Sequence, residues 1–494
     1  MMFGNRFFKN LCMGTLFLSL LFSPLTVFAT SSEVTSNDVI TTPSETTPYD
    51  QPVQSNDWEN WPKGPSIHAE AAIVMEADTG TILYAKDIEE KQYPASITKI
   101  LTTLVVLENS QLNEEITYSY HATHSIDPGS SSIARTEGEI LTVEESLYGL
   151  MLASANECAN ALAEHVAGSS EAFAELMNAK AKELGCVNSN FVNAHGLHNP
   201  EHYTCPYDMA LITRAAIQNE DFRRIAGSNY FTLRATNKNE ETLFMQNHHN
   251  MIAPYKTDKF LDDTIFSGKT GFTTDALHTL VTCGTRNGME VVVVSMRTQA
   301  TEEQGVPLYT DTAALLDYAN NFQKLNIAEH EQTFVIGNAY DFSIDADDLK
   351  TSGSLISIDK SSTVILPNTL SFSNARPSIS FEESDEGKQA FLTYEYAGQC
   401  IGKASITLEE RTEQDFHFSE TESGEDISEN GPKFITINLK VVFLVFGILL
   451  LILFAIQVLK SFIQKNRAKI RKTIHIYQKR HFLRRRRPHK RRRR

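Results

Sequence analysis

Apolar spacing along the chain divides it into segments that fix an element and segments with little to bury. Residues 71–75 are a continuous apolar run, which reads as a buried strand, followed by a turn at 78–80 and a return strand at 81–84. After Pro94 the spacing becomes helical, with Ile100, Leu101, Leu104, Val105 and Leu107 recurring on one face. Residues 142–152, 157–166 and 170–184 repeat that pattern. Two β-rich runs, 279–285 and 290–296, are separated by Arg286-Asn287-Gly288, whose Asn-Gly is a strong hairpin signal. Residues 311–322 read as a closing helix. Strands on both sides of a helical block predict an α+β domain over 64–325, an antiparallel sheet flanked by helices and built from both ends of the segment.

The texture changes outside that block. Residues 326–410 carry short β-type runs (333–336, 355–358, 378–381, 390–396, 403–407) between turn residues, and predict a small all-β domain. Residues 30–63, rich in Ser, Thr and Pro, read as a disordered linker, and 411–439 as an acidic tether. Residues 1–29 have the layout of a signal peptide: Arg6 and Lys9, an apolar stretch at 11–22, and Val27-Phe28-Ala29 as a small-residue cleavage site. Residues 441–459 are 19 positions without a charge, near the ~20 that cross a bilayer, so 440–460 predict a C-terminal transmembrane helix.

Charge adds an orientation. The formal net charge is −16, but residues 465–494 hold 16 Lys or Arg and no acid. Removing those 16 from the 45 basic residues leaves 29 against 61 acidic ones, a balance of −32 for residues 1–464. The positive-inside tendency puts the basic tail (461–494) in the cytoplasm and the acidic bulk outside, a single-pass arrangement at the cell membrane. Beside a span, the tail suits anionic lipid headgroups, and no nucleic-acid partner is expected. Cys158, Cys186, Cys205, Cys283 and Cys400 remain after the signal; their odd number is no disulfide framework, and their spacing fits no zinc site.

Three short motifs could do chemistry together. Ser96-Ile97-Thr98-Lys99 puts Ser96 at a helix start with Lys99 three residues on, on the same face. A serine hydroxyl needs a base to become a nucleophile, and a lysine is a base only when burial or nearby positive charge lowers its pKa. Ser154-Ala155-Asn156 lies in the short turn between two helices, where a hydroxyl and an amide can face a cleft; Ser and Asn are also ordinary helix caps. Lys269-Thr270-Gly271, before Phe272, approaches a strand whose edge can align an extended substrate, with Lys269 suited to a carboxylate. Each motif alone is weak; the three in this order are far more specific. His195, His198, His202, His248 and His249 show no metal-ligand pattern, and neither a metal nor a cofactor is expected.

With these motifs in place, the chain resembles the low-molecular-mass penicillin-binding proteins that are D-alanyl-D-alanine carboxypeptidases. The likeness includes residues 93–100, 138–150, 190–198 and 203–208, runs from about 69 to 322, and continues more faintly to 402–408. It implies a β-lactamase/penicillin-binding-protein-like transpeptidase fold. It also implies that Ser96 attacks the carbonyl between the two terminal D-alanines of a peptidoglycan stem peptide while Lys99 accepts its proton. Ser154 and Lys269 would relay a proton to the leaving D-alanine, and Asn156 would orient Lys99 and the substrate amide. Thr270 would bind the terminal carboxylate beside Lys269 and Gly271, and the backbone N–H groups of Ser96 and Phe272 would form the oxyanion hole. β-Lactams would acylate Ser96 as covalent inhibitors. The chain departs from the family pattern at Leu277 and Ala155, where glycine is usual, and in ending with a full span rather than an amphipathic surface helix. A serine β-lactamase is the nearest alternative, but no Glu-x-x-Leu-Asn segment follows the second motif. A DD-endopeptidase using the same residues and a catalytically silent wall-binding protein are the others.

Overall fold

The computed structural model describes residues 47–300, 307–330, 355–384 and 387–409. The signal peptide, the first half of the linker, the β-run at 333–336, the tether, the transmembrane segment and the basic tail fall outside them. Among the described residues no helix is long and apolar enough to cross a membrane.

The first hairpin is β1 (Ala69–Glu76) and β2 (Ile82–Lys86). A helical block follows: α1 (Lys99–Asn109), β3 (Glu115–Thr117), α2 (Tyr120–His124), β4 (Ile140–Thr142), α3 (Val143–Leu152), α4 (Asn156–Ala167), α5 (Ser170–Glu183), α6 (Pro206–Ala216) and α7 (Glu220–Ala226). A small hairpin, β5 (Tyr230–Leu233) and β6 (Leu243–Gln246), precedes β7 (Ile265–Thr273), β8 (Leu277–Arg286) and β9 (Met289–Thr298). Helix α8 (Leu308–Tyr318) closes this part. Beyond it lie β10 (Phe322–Asn326), α9 (Ile327–His330), β11 (Leu355–Ile358), β12 (Thr363–Pro367), β13 (Arg376–Ser384), β14 (Gly387–Tyr396) and β15 (Gln399–Glu409).

The main sheet is antiparallel, in the order β2-β1-β9-β8-β7. Its central strands are apolar on both faces because both are covered. Alternation sends Ile73, Met75, Val292 and Val294 into the core under the helical block, and Ala72, Val74, Val291 and Val293 into the one under α8. Asn287 and Gly288 form the two-residue turn between β8 and β9 with φ of 49° and 76°, the pair of positive values that a type I′ turn requires. Helix α3 starts with a reciprocal capping box between Thr142 and Glu145.

Two differences from the sequence reading concern domain edges. Residues 47–63 were expected within the linker, yet they pack on the sheet. Trp61 is buried and donates from Nε1 to Leu83 O at 2.7 Å, Ser55 Oγ accepts from Ala85 N at 3.1 Å, and Lys86 Nζ donates to Pro48 O at 2.5 Å. A few anchors thus order a segment whose average composition is that of a linker. Strand β10, expected inside the catalytic domain, pairs with β12 instead, beside the sheet β11-β15-β14-β13. Val364, Ile365 and Tyr394 of this β-rich part share an apolar cluster with Leu315 and Phe322, so the all-β domain is joined to the main one through a common core.

Candidate active site

Ser96 sits in a 3-10 turn, Ala95–Thr98, that leads into α1. Ala95 holds φ of 51°, a left-handed value costly for a residue with a Cβ, and its neighbours maintain it. Gly196, at φ 84°, lies so close that an added Cβ would meet the Ala95 carbonyl. On the other side Gly271 packs in: a Cβ there would stand 2.9 Å from Ser96 N and 3.1 Å from Pro94 O. Only glycine permits either approach.

Lys99, the first residue of α1, is fully buried. Its Nζ lies 3.0 Å from Ser96 Oγ, 2.8 Å from Asn156 Oδ1 and 2.6 Å from His195 O. Two of these neighbours are pure acceptors, so they take two N–H bonds. The third direction faces the serine, where a neutral amine presents its lone pair. Burial pushes the Lys99 pKa well below its ordinary value, and the Lys269 charge adds to this; Glu157 and Cys158 oppose it. No carboxylate contacts Lys99 Nζ among the described residues.

Ser154 lies in the turn between α3 and α4 at φ 59°, and its Oγ is buried without a hydrogen-bond partner among the described residues. The turn is held by Ala155 N donating to Gly149 O and Asn156 N donating to Ser131 O, at 3.0 and 2.9 Å. Ala155 has φ −60° and ψ 120°, so this departure from glycine brings no strain. Leu277 does occupy a left-handed position, φ 55°, which supplies a conformational reason for the usual glycine there.

Lys269, Thr270, Gly271 and Phe272 lie within β7, the edge strand, rather than ahead of a strand. Its free edge packs beside the Ser96 turn. Lys269 is buried, burial lowers its pKa to about 7, and its Nζ donates to Thr270 O at 2.9 Å. It makes no hydrogen bond to Ser154 among the described residues. Phe272 is exposed and its ring lies 4.6 Å from that of His278. Ser96, Ser154, Asn156, Thr270, Gly271 and Phe272 line one cleft of about 620 Å³.

Sequence reasoning missed three supports of this cleft. The His195 carbonyl is a backbone acceptor, which no side-chain motif can reveal. His202 is buried, bridges Thr98 Oγ1 at 2.9 Å and accepts from Val192 N at 3.1 Å; burial holds its pKa near about 3, so it is a neutral strut of the Ser96 turn. Glu157 accepts from Ser132 Oγ and Ile133 N, both at 2.7 Å, and so fixes the loop that forms one wall. Its position directly after Asn156 was the available signal.

Comparison with known proteins identifies the family. Residues 59–300 match the family model described as D-alanyl-D-alanine carboxypeptidase. The chain is 31% identical over 256 residues to D-alanyl-D-alanine carboxypeptidase DacF of Bacillus subtilis (strain 168), covering 51% of this chain and 62% of that protein. It thus spans less than two thirds of that relative's length. It is 31% identical over 240 residues to the D-alanyl-D-alanine carboxypeptidase of Streptomyces sp. (strain K15), covering 46% of this chain and 80% of that protein. Against D-alanyl-D-alanine carboxypeptidase DacB2 of Mycobacterium tuberculosis the identity is 30%, over 52% of this chain and 82% of that one. The chain belongs to the D-alanyl-D-alanine carboxypeptidase family.

Proposed function

We propose that this protein is a serine-type D-alanyl-D-alanine carboxypeptidase that removes the terminal D-alanine from peptidoglycan stem pentapeptides and that is acylated by β-lactams. The observation that carries the reading is the environment of Lys99: a buried amine, its pKa depressed, with its third direction on Ser96 Oγ at 3.0 Å.

In the first half-reaction Lys99 Nζ takes the Ser96 proton as Oγ bonds to the carbonyl carbon of the penultimate D-alanine. Negative charge gathers on the carbonyl oxygen, beside the N–H groups of Ser96 and Phe272. The C–N bond then breaks, and the leaving amine takes a proton relayed through Ser154 and Lys269. The Ser154 hydroxyl, without a hydrogen-bond partner among the described residues, is free to serve in that relay. Lys269 and Thr270 receive the terminal carboxylate, and Asn156 orients Lys99 and the substrate amide. Water then attacks the ester carbonyl, its proton goes to the base, and Ser96 regains its hydrogen.

Localisation follows from the termini: a secreted catalytic domain, held to the membrane by 441–459, with the basic tail in the cytoplasm. The charge asymmetry supports this, and protease shaving of intact cells tests it: the tail should be protected and the catalytic domain digested. For activity, the test is D-alanine release from a soluble pentapeptide. Release by wild type and its loss in Ser96→Ala support the reading. Turnover of nitrocefin without D-alanine release would point to a β-lactamase instead.

A further inference from the structure

The β5–β6 hairpin carries a feature that the Ser96 chemistry leaves unused. Its register sets Tyr230 opposite Gln246 and Thr232 opposite Phe244, so these four side chains share a face. The other face packs inward: Leu233 and Met245 are buried, and the Phe231 ring stacks on Tyr148 with centroids 3.9 Å apart. An outward face on such a hairpin is ordinarily polar. Here Tyr230 and Phe244 are 62% and 60% exposed, and their rings stack diagonally across the strands at 5.4 Å and 30°.

Beside β6 runs a hollow of about 490 Å³, bordered by Ser132, Phe244 and Gln246 and, toward the active site, by His248 and Tyr255. Those last two residues also line the Ser96 cleft, so the two spaces adjoin. The segment that follows β6 is tied to the end of α3, just before the second motif, since His248 N donates to Leu152 O at 3.2 Å. The hollow therefore lies between the Ser96 cleft and Phe244, one ring of the exposed pair.

Its length fits the substrate. Phe244 lies four residues along the chain from His248 at the cleft, a separation of at most about 14 Å. Three residues and a lactyl link separate the acylating D-alanine from the sugar that bears the stem, about 10–14 Å when extended. An aromatic plate beside an amide and an imidazole (Gln246, His248) suits a sugar, whose C–H face needs an apolar surface and whose hydroxyl and acetamido groups need partners.

We propose that the Tyr230–Phe244 pair and the hollow along β6 form a glycan subsite, which binds the N-acetylated hexose ring from which the stem peptide hangs. The inference rests on the D-alanyl-D-alanine reading of the Ser96 cleft. It is tested by measuring kcat/KM for D-alanine release from a muramyl pentapeptide and from the same pentapeptide without sugar. Wild type should prefer the sugar-bearing substrate by roughly tenfold, the scale of one or two aromatic stacking contacts. Tyr230→Ala and Phe244→Ala should remove most of that preference while sugar-free turnover holds, and Phe244→Tyr should keep it. Equal turnover of both substrates by wild type would overturn the subsite. So would an equal loss on both substrates in the alanine variants, which would make the hairpin a structural prop. Failure of wild type to release D-alanine from either substrate would overturn the D-alanyl-D-alanine reading itself, and the subsite with it.

Discussion

Gly196→Ala separates a positioning role from mere folding. An added Cβ would press into the Ala95 carbonyl oxygen and stand 2.5 Å from its carbon and 2.9 Å from Thr98 Oγ1. Ordinary contact begins at 3.4 Å, so the Ala95 carbonyl carbon and the 195–196 loop must part by at least 3.4 less 2.5, or 0.9 Å. That movement acts on the two groups next to Gly196 and Ala95: the His195 carbonyl, which holds Lys99, and Ser96 itself. A misplacement of about 1 Å in reacting groups can cost about a hundredfold in rate. The backbone adds strain of its own, because φ is 84° and an L-residue pays roughly 1–2 kcal/mol there. Gly168→Ala is the control: it shares the left-handed backbone, φ 80°, but its Cβ meets nothing within 4 Å. Stopped-flow acylation by a fluorescent penicillin should therefore slow about a hundredfold in Gly196→Ala and stay within twofold in Gly168→Ala, with a loss of Tm in both from backbone strain and a larger one in Gly196→Ala, where the clash adds to it. Acylation of folded Gly196→Ala within twofold of wild type would refute the reasoning.

Further predictions concern charge. Lys269 is the second cause, after burial, of the lowered Lys99 pKa. Lys269→Gln removes a positive neighbour, so Lys99 keeps its proton to higher pH. Because the neutral amine is the base, the rising limb of the acylation pH profile should move to higher pH, whatever happens to its height; a fixed limb, or one moved to lower pH, would contradict this. Glu139 is buried and its carboxylate accepts from Arg135 Nη1 at 2.7 Å, Thr236 Oγ1 at 2.7 Å and Thr136 N at 3.0 Å. Glu139→Ala strands a buried guanidinium and should lower the unfolding free energy by about 3–5 kcal/mol in urea titration.

Much of this architecture is legible in the sequence because its signals are local. The Asn287-Gly288 turn and the apolar periods of α1 each specify their own geometry within a few residues. Strand β7 escaped because Gly268 and Gly271 depress its β character. They are there because His249 and the Ser96 turn approach its backbone: a Cβ on Gly268 would stand 2.6 Å from His249. The order in 47–63 escaped because it rests on isolated anchors, Val53 and Trp61, in polar surroundings. At the site, the spacing of Ser96 and Lys99 brought the pair together on one turn. The His195 carbonyl, which completes the amine's surroundings, comes from a loop 96 residues away in sequence.

The central claim is that Lys99 acts as a neutral base on Ser96. It is tested most directly by intact-protein mass spectrometry after brief exposure to benzylpenicillin, with peptide mapping of the adduct. The account predicts one penicilloyl group per chain on the peptide containing Ser96, no adduct in Ser96→Ala, and at least a hundredfold slower formation in Lys99→Met, the order of rate that general-base catalysis contributes. An adduct on another residue, one that persists in Ser96→Ala, or wild-type rates in Lys99→Met would contradict it.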